Sequence, residues 1–474
     1  MWQPQLPAEE GPLYERIAQA LAQDIQAGRL QAGQRLPTLK ALAALLGVTP
    51  GTVSRAYELA HRRGLVSGEV GRGTFVLPLT AGDAAPVVTP PAPTSPTVPG
   101  MQPAAAEAGG EALDLSIVKP YLPLQEPVLR QALAELARAA SLPEMLDYTR
   151  DGGLPSHRQA GAQWLRAAGL DAQADQIILT AGAQHGLWVA VQALTRPGEL
   201  VACEALCYPG VASVVLGLGR RLQGIAMDEE GLQVEALRAQ CRRERPALVI
   251  CIANVQNPTT AVMSAARRAE LAALAREQDL RLLDDDLYGF LVPGVAPPLA
   301  QLAPERTVYL TSLSKSVLPT VRLGYLHAPP AWLGPLTAAV RSTVWMVSPL
   351  AAQVATLLIQ RGQAWALSQA QREEARARQQ LAADVLQGLR WRSAPTSFHL
   401  WLELPGQWRS GEQFAALARS HQIAVAAGDA FATDRDGLGR QHVRLCLMPP
   451  SRERLAFVLD KLAGLARTPQ PGWL

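Results

Sequence analysis

Leu282-Leu-Asp-Asp-Asp-Leu-Tyr288, followed by Val308-Tyr-Leu-Thr-Ser-Leu-Ser-Lys315 with Arg322 beyond it, decides how most of this chain folds. Each stretch is an apolar run that ends abruptly in polar side chains. Comparable runs at Gln176-Ile-Ile-Leu-Thr180, Leu200-Val-Ala202 and Ala247-Leu-Val-Ile-Cys-Ile252 alternate with helical stretches. Near-continuous apolar strands separated by helices predict a largely parallel sheet covered on both faces, an α/β unit with a smaller C-terminal lobe. Ligands of such sheets bind at the carboxyl ends of the strands, where these polar residues sit.

The strand ends carry the chemistry. After Thr180 come Ala181-Gly182-Ala183-Gln184 and then a helix. Free N–H groups and the helix dipole there favour an anion, although a tight strand-to-helix turn accounts for small residues equally well. Asp284, Asp285 and Asp286 read as metal ligands, as a solvated loop or as partners of a cationic ring. Lys315 among Ser312, Ser314 and Arg322 suits an amine held beside a bound phosphate. The chain has only four lysines: Lys40, Lys119, Lys315 and Lys461. Lys119 sits beside Pro120 and Lys461 on the final helix. An amine for an aldehyde, a carboxylate for a pyridinium nitrogen and an anion seat together describe pyridoxal 5′-phosphate, with Lys315 as the Schiff-base lysine and no metal.

The chain has 474 residues, 48% of them hydrophobic, which excludes wholesale disorder and predicts two to four domains. A formal charge of +3 excludes a polyanion-coating basic protein but not a small DNA-binding module on a neutral body. Five scattered cysteines (203, 207, 241, 251 and 446), with no metal-ligand spacing, predict buried thiols in a cytoplasmic protein. The start, Met1-Trp2-Gln3-Pro4, has no signal-peptide pattern, and no run of about 18 apolar residues predicts a membrane span. Prolines 86, 90, 91, 93, 96, 99 and 103 among Ala, Thr, Ser and Gly make 79–112 a linker between domains at 1–78 and 113–474.

In the first domain, Leu13, Ile17, Leu21 and Ile25 form one helical stripe that stops at Gly28. Thr38 is the expected N-cap of a second helix, with Leu39, Leu42, Leu45 and Leu46 facing inward. Gly47 ends it, and Thr49-Pro50 opens a third helix, with Val53, Ala56 and Tyr57 facing the core. A turn at Gly71-Arg72-Gly73 and the run Thr74-Phe75-Val76 add a hairpin, giving a winged helix-turn-helix. Lys40, Thr49, Thr52, Ser54, Arg55 and Arg72 are the expected contacts to double-stranded DNA. A small three-helix fold used for dimerisation or scaffolding is the competing reading. Eight Lys/Arg (16, 29, 35, 40, 55, 62, 63, 72) against six Asp/Glu (9, 10, 15, 24, 58, 69) make affinity depend on paired presentation.

Gly33-Gln-Arg-Leu-Pro37, Leu46-Gly-Val48, Arg55-Ala-Tyr57 and Gly71-Arg-Gly-Thr-Phe-Val76 resemble the GntR winged-helix domain, with Lys40 where that family usually has Arg. Residues from Leu113 to Leu465 resemble the fold type I aminotransferases. That resemblance implies that Tyr148 reaches the partner subunit's cofactor phosphate and that Gly182, Ala183 and Gln184 form the phosphate loop. It also implies that Tyr208 stacks on the ring and that Asn257 and Tyr288 bind the phenolic oxygen. Asp285 would pair with the pyridinium nitrogen, Ser312, Ser314 and Arg322 would hold phosphate, and Arg444 would clamp an α-carboxylate. Ala183 stands where a hydroxyl is often found, and Thr396-Ser-Phe398 replaces a Gly-rich substrate loop.

The combination resembles the MocR family of transcriptional regulators. It implies a homodimer whose DNA binding responds to cofactor or to an amino-acid or amine effector. A working aminotransferase carrying a DNA-binding arm, and a sensor of the cofactor alone, are the competing functions.

Overall fold

The computed structural model describes residues 2–4, 12–31, 33–62, 65–69, 73–76, 113–149, 152–294, 296–433 and 437–468. Arg72 and the stretch 79–112 lie outside the described residues. The chain divides into two compact units, Met1–Ala92 and Pro93–Leu474.

The first unit holds helices α1 (Leu13–Gln26), α2 (Leu39–Leu46) and α3 (Pro50–Arg62), then strands β1 (Val66–Glu69) and β2 (Gly73–Val76), paired as an antiparallel hairpin. Ile17, Leu21 and Ile25 are buried on α1, and they share one core with Leu42, Val53, Ala56 and Tyr57. The Thr38 hydroxyl accepts from the Ala41 amide at 3.3 Å, and Gly47 closes α2 at φ 68°. Thr49 Oγ1 accepts from the Thr52 amide at 3.3 Å and so caps α3.

Leu39 and Leu45 do not face inward; they are 39% and 44% exposed. α2 has barely two turns, and its middle, Leu42 and Ala43, supplies its buried surface. Leu39 lies in the first turn at the edge of that contact. Leu45 lies two positions past Ala43, about 200° around the helix.

The second unit is built on a seven-stranded sheet. Its strands are β3 (Ile177–Thr180), β4 (Leu200–Glu204), β5 (Arg221–Ile225), β6 (Leu248–Cys251), β7 (Leu282–Asp285), β8 (Thr307–Ser312) and β9 (Gly324–His327), in the order β3-β9-β8-β7-β6-β4-β5. β9 runs antiparallel to both its neighbours, and the other pairings are parallel. Successive strand residues feed opposite apolar layers. Ile178, Leu310 and Leu326 join one layer, while Ile177, Leu179, Tyr309 and Tyr325 join the other. Burial on both faces is why the strands are apolar throughout.

The smaller lobe carries the four-stranded sheet Arg390–Arg392, His399–Glu403, His442–Cys446 and Ala426–Ala427. Helices Gly411–Ser420 and Arg452–Arg467 share its core. Leu113–Asp114 pairs in parallel with Ile423–Ala424, so the first described residues of this unit are pinned to the lobe.

Candidate functional site

A cleft of about 180 Å³ opens at the carboxyl ends of β3, β4, β6, β7 and β8. One water needs on the order of 10–15 Å³, so there is ample room for a substituted six-membered ring.

At one end, helix Ala183–Leu194 starts directly after Gly182, its N-terminal amides turned to the cleft. Gly182 has φ 82°, and a Cβ there would lie 2.8 Å from Arg322 Nη2. Arg322 is itself left-handed at φ 45°, a backbone state that costs a side-chain-bearing residue about 1–2 kcal/mol. The loop therefore brings a guanidinium to a helix start at some expense. Ser312 Oγ accepts from the Ser314 amide at 3.3 Å, while the buried Ser314 Oγ has no protein partner. Hydroxyl, guanidinium and free helix amides together form an anion seat.

The floor holds Tyr208, Asp285 and Lys315. Strand alternation separates the three aspartates: Asp284 Oδ2 accepts from the Leu299 amide at 2.9 Å, and Asp286 Oδ2 accepts from the Tyr309 hydroxyl at 2.7 Å. Asp285, between them, lines the cleft, and its Oδ1 has no partner. Burial, reinforced by the two flanking carboxylates, pushes its pKa up to about 8. Among the described residues no cluster of His, Cys, Asp and Glu is arranged to hold a metal ion. An orphaned carboxylate in a floor of this width fits a cationic ring N–H.

Lys315 lies in the short turn Leu313–Ser316 after β8, with Nζ donating to the Val118 carbonyl at 2.6 Å. Burial and the charges of Arg444 and Arg322 lower its pKa to about 8. Asn257 and Tyr288 also line the cleft. Asn257 Oδ1 accepts from Arg444 Nη1 at 2.7 Å, which turns the amide NH₂ away from that pair. Arg444, on strand His442–Cys446, also donates to the Ser116 carbonyl and lies 4.8 Å over the Phe431 ring.

Of the cofactor contacts expected from sequence, Tyr148 alone stays far from its own chain's cleft. It is 74% exposed and meets Trp345 edge-on, ring centroids 6.3 Å apart. Thr396, Ser397 and Phe398 do not line the cleft; they are buried, with Thr396 Oγ1 donating to the Leu291 carbonyl at 2.6 Å. Sequence reasoning missed Ser116, Ile117 and Val118, whose place follows from strand pairing more than a hundred residues away, and Phe431. It also missed His399, fully buried beside Tyr288, its pKa lowered to about 3 by burial and the nearby cations.

In the first unit, Lys40, Thr49 and Arg55 are exposed, and Thr52 and Ser54 half-buried. Ser54 Oγ donates to Glu58 Oε1 at 3.4 Å, while neither Lys40 nor Arg55 enters an ion pair among the described residues.

Residues 103–462 match the family described as aminotransferase class I and II, and residues 13–76 match bacterial regulatory proteins of the gntR family. The HTH-type transcriptional regulator TauR of Rhodobacter capsulatus is 32% identical over 353 residues, 71% of each chain. The HTH-type transcriptional regulator YdeF of Bacillus subtilis is 28% identical over 430 residues, 91% of this chain and 89% of its own. The crystal structure of an archaeal alanine:glyoxylate aminotransferase superposes with a TM-score of 0.71 at 23% identity, over 76% of this chain and 91% of its own.

Proposed function

This chain belongs to the MocR-type regulators, a gntR-family winged helix joined to an aminotransferase class I and II domain, and from that premise we propose that it is a regulator whose DNA binding responds to pyridoxal 5′-phosphate or to an amino-acid or amine effector. The observation that carries the reading is the convergence of Lys315, the orphaned Asp285 carboxylate and the Gly182–Arg322 anion seat in one cleft. Bound there, pyridoxal phosphate supplies an aldehyde for primary amines and an electron-withdrawing ring. Lys315 would offer the amine, Asp285 would accept from the ring N–H, and Tyr208 would face the ring. Ala183, Gln184, Ser312, Ser314 and Arg322 surround the phosphate. Asn257 and Tyr288 donate to the phenolic oxygen, and Arg444 receives the effector's carboxylate.

The same geometry supports a route to the DNA-binding unit. Ser116 gives its carbonyl to Arg444, and Val118 gives its carbonyl to Lys315. Both lie just past the start of the second unit's described chain. Ligands that engage either cation compete with those carbonyls and so act on the segment leading back to residues 79–112. We assign the protein to the cytoplasm, the domains to 1–78 and 113–474, and the functional state to a homodimer. The exposed Leu146, Tyr148 and Trp345 supply the apolar surface a second copy would cover, with Tyr148 reaching that copy's phosphate.

The test is binding to DNA from upstream of the gene itself, followed by fluorescence anisotropy with and without cofactor and amines. Affinity independent of both refutes the reading. Multiple turnover with a 2-oxo acid acceptor, with no DNA response, would establish an enzyme instead. Arg55→Ala is expected to weaken binding by about 1–3 kcal/mol if Arg55 meets a base edge. Unchanged anisotropy curves would move the recognition surface off α3. Gly182→Ala places a methyl against Arg322 at a positive φ. It is expected to weaken cofactor affinity at least tenfold by equilibrium dialysis, and an unchanged value removes Gly182 from the anion seat.

A further inference from the structure

We infer that the effector of this cleft is an α-amino acid with an uncharged, apolar side chain; the inference rests on the effector-binding reading above. Among the described residues lining the cleft, the cations are Lys315, Arg322 and Arg444. Each has its task. Arg322 lies against the helix start at Gly182, Lys315 rises from the floor, and Arg444 stands on the small lobe with its Nε buried and unpartnered. An α-carboxylate on Arg444 uses the last of these, and among the described residues of this chain no further cation lines the cleft for a second acid group.

Apart from its hydrogen bonds to Asn257 and Ser116, Arg444 has a set of apolar neighbours on the small-lobe side of the cleft. Phe431 lies beneath its guanidinium at 4.8 Å. Ala426 is its register partner across the antiparallel pair. Ile117 directly follows Ser116, whose carbonyl Arg444 binds, and is half-buried at the cleft wall. Ala430 precedes Phe431 in the turn Gly428–Phe431 and also lines the cleft. An amino acid held by Arg444 therefore points its side chain at Ile117, Ala426, Ala430 and Phe431. A carboxylate or ammonium lodged there loses its water and gains no partner, whereas a hydrocarbon side chain gains contact. The two alanines leave room for a side chain of several carbons. Ile117 is the specificity-determining position, because it closes this wall and tolerates a longer side chain at its half-exposed site.

The full-length protein, loaded with pyridoxal phosphate, is titrated with L-alanine, L-valine, L-leucine, L-methionine, L-aspartate, L-glutamate and L-lysine while its visible absorption is followed. The apolar amino acids are expected to shift the band at concentrations at least tenfold below the acidic and basic ones. In Ile117→Arg, L-glutamate is expected to gain at least tenfold over L-leucine. Acidic amino acids acting as tightly as apolar ones in the wild type overturn the inference, as does a band that no amino acid shifts. A wild type with no band at all refutes the cofactor reading itself, a result the titration keeps separate because it is seen before any amino acid is added.

Discussion

Lys315→Ala is expected to give a folded protein that forms no borohydride-reducible adduct when supplied with pyridoxal phosphate. An exposed lysine with an ordinary pKa near 10.4 is neutral in only about one molecule in a thousand at pH 7.5. With its pKa lowered to about 8, Lys315 is neutral in about a quarter of molecules at that pH, roughly two hundred times more nucleophilic amine. Of the other lysines, Lys40 and Lys119 are exposed and Lys461 sits on helix Arg452–Arg467; none of the three lines the cleft. The fold should tolerate the change. The amine donates to the Val118 carbonyl, a bond worth about 1 kcal/mol, and its removal also relieves the burial of a partly charged group. The checks are the visible band after gel filtration and the intact mass after borohydride reduction. Retention of a reducible adduct at wild-type yield would reassign the reactive amine. Without added cofactor, DNA affinity should equal the wild type's, and its response to cofactor should vanish.

Much of this site was legible because β-strands end where apolar runs end. Val308-Tyr-Leu310 and Leu282-Leu283 announce their strands, and the next polar residues fall at the carboxyl edge. The alternatives left open for Asp284, Asp285 and Asp286 separate only in three dimensions. Adjacent residues on a strand face opposite ways, so the outer two find an amide and a hydroxyl while the middle one meets the cleft. β9 was not legible, because Gly324-Tyr-Leu-His327 is short and its reversed direction is set by the turn through Arg322. Ser116–Val118 carried no local signal; its place depends on Leu113–Asp114 pairing with Ile423–Ala424. Leu39 and Leu45 show the converse limit. Helical period marks a stripe, but how much of it is covered depends on the length of the contact, which two turns cannot extend.

Asp285→Asn is expected to move apoprotein stability and cofactor affinity in opposite directions. In the folded apoprotein burial holds the Asp285 carboxyl up to about 8, against an ordinary value of 3.8. Between about pH 4 and pH 8 the unfolded chain has released this proton and the folded chain has kept it. The folded state therefore binds more protons, and stability falls as pH rises through that window. The full effect is on the order of a few kcal/mol, complete above pH 8. Asp284 and Glu204, each raised to about 7 by burial, add to the same slope. Asparagine keeps the shape and removes the charge, so apo Asp285→Asn should melt above the wild type at pH 8, match it more closely at pH 5, and show a shallower pH slope. The cofactor reverses the sign. A ring N–H⁺ against Asp285 gives the orphaned Oδ1 its partner and draws the carboxyl back toward its ordinary range, so the wild-type holoprotein should lose most of this pH dependence. The substituted side chain offers the ring only a neutral amide, and cofactor affinity at pH 8 should fall at least tenfold. Melting curves at pH 5 and 8, with and without cofactor, read both arms. A variant less stable than wild type as apoprotein at pH 8, with cofactor affinity intact, would mean that Asp285 is held by the protein itself and that the ring nitrogen is met elsewhere. A purely structural aspartate cannot produce the crossed result, because nothing it stabilises in the apoprotein would be weakened only when the cleft is filled.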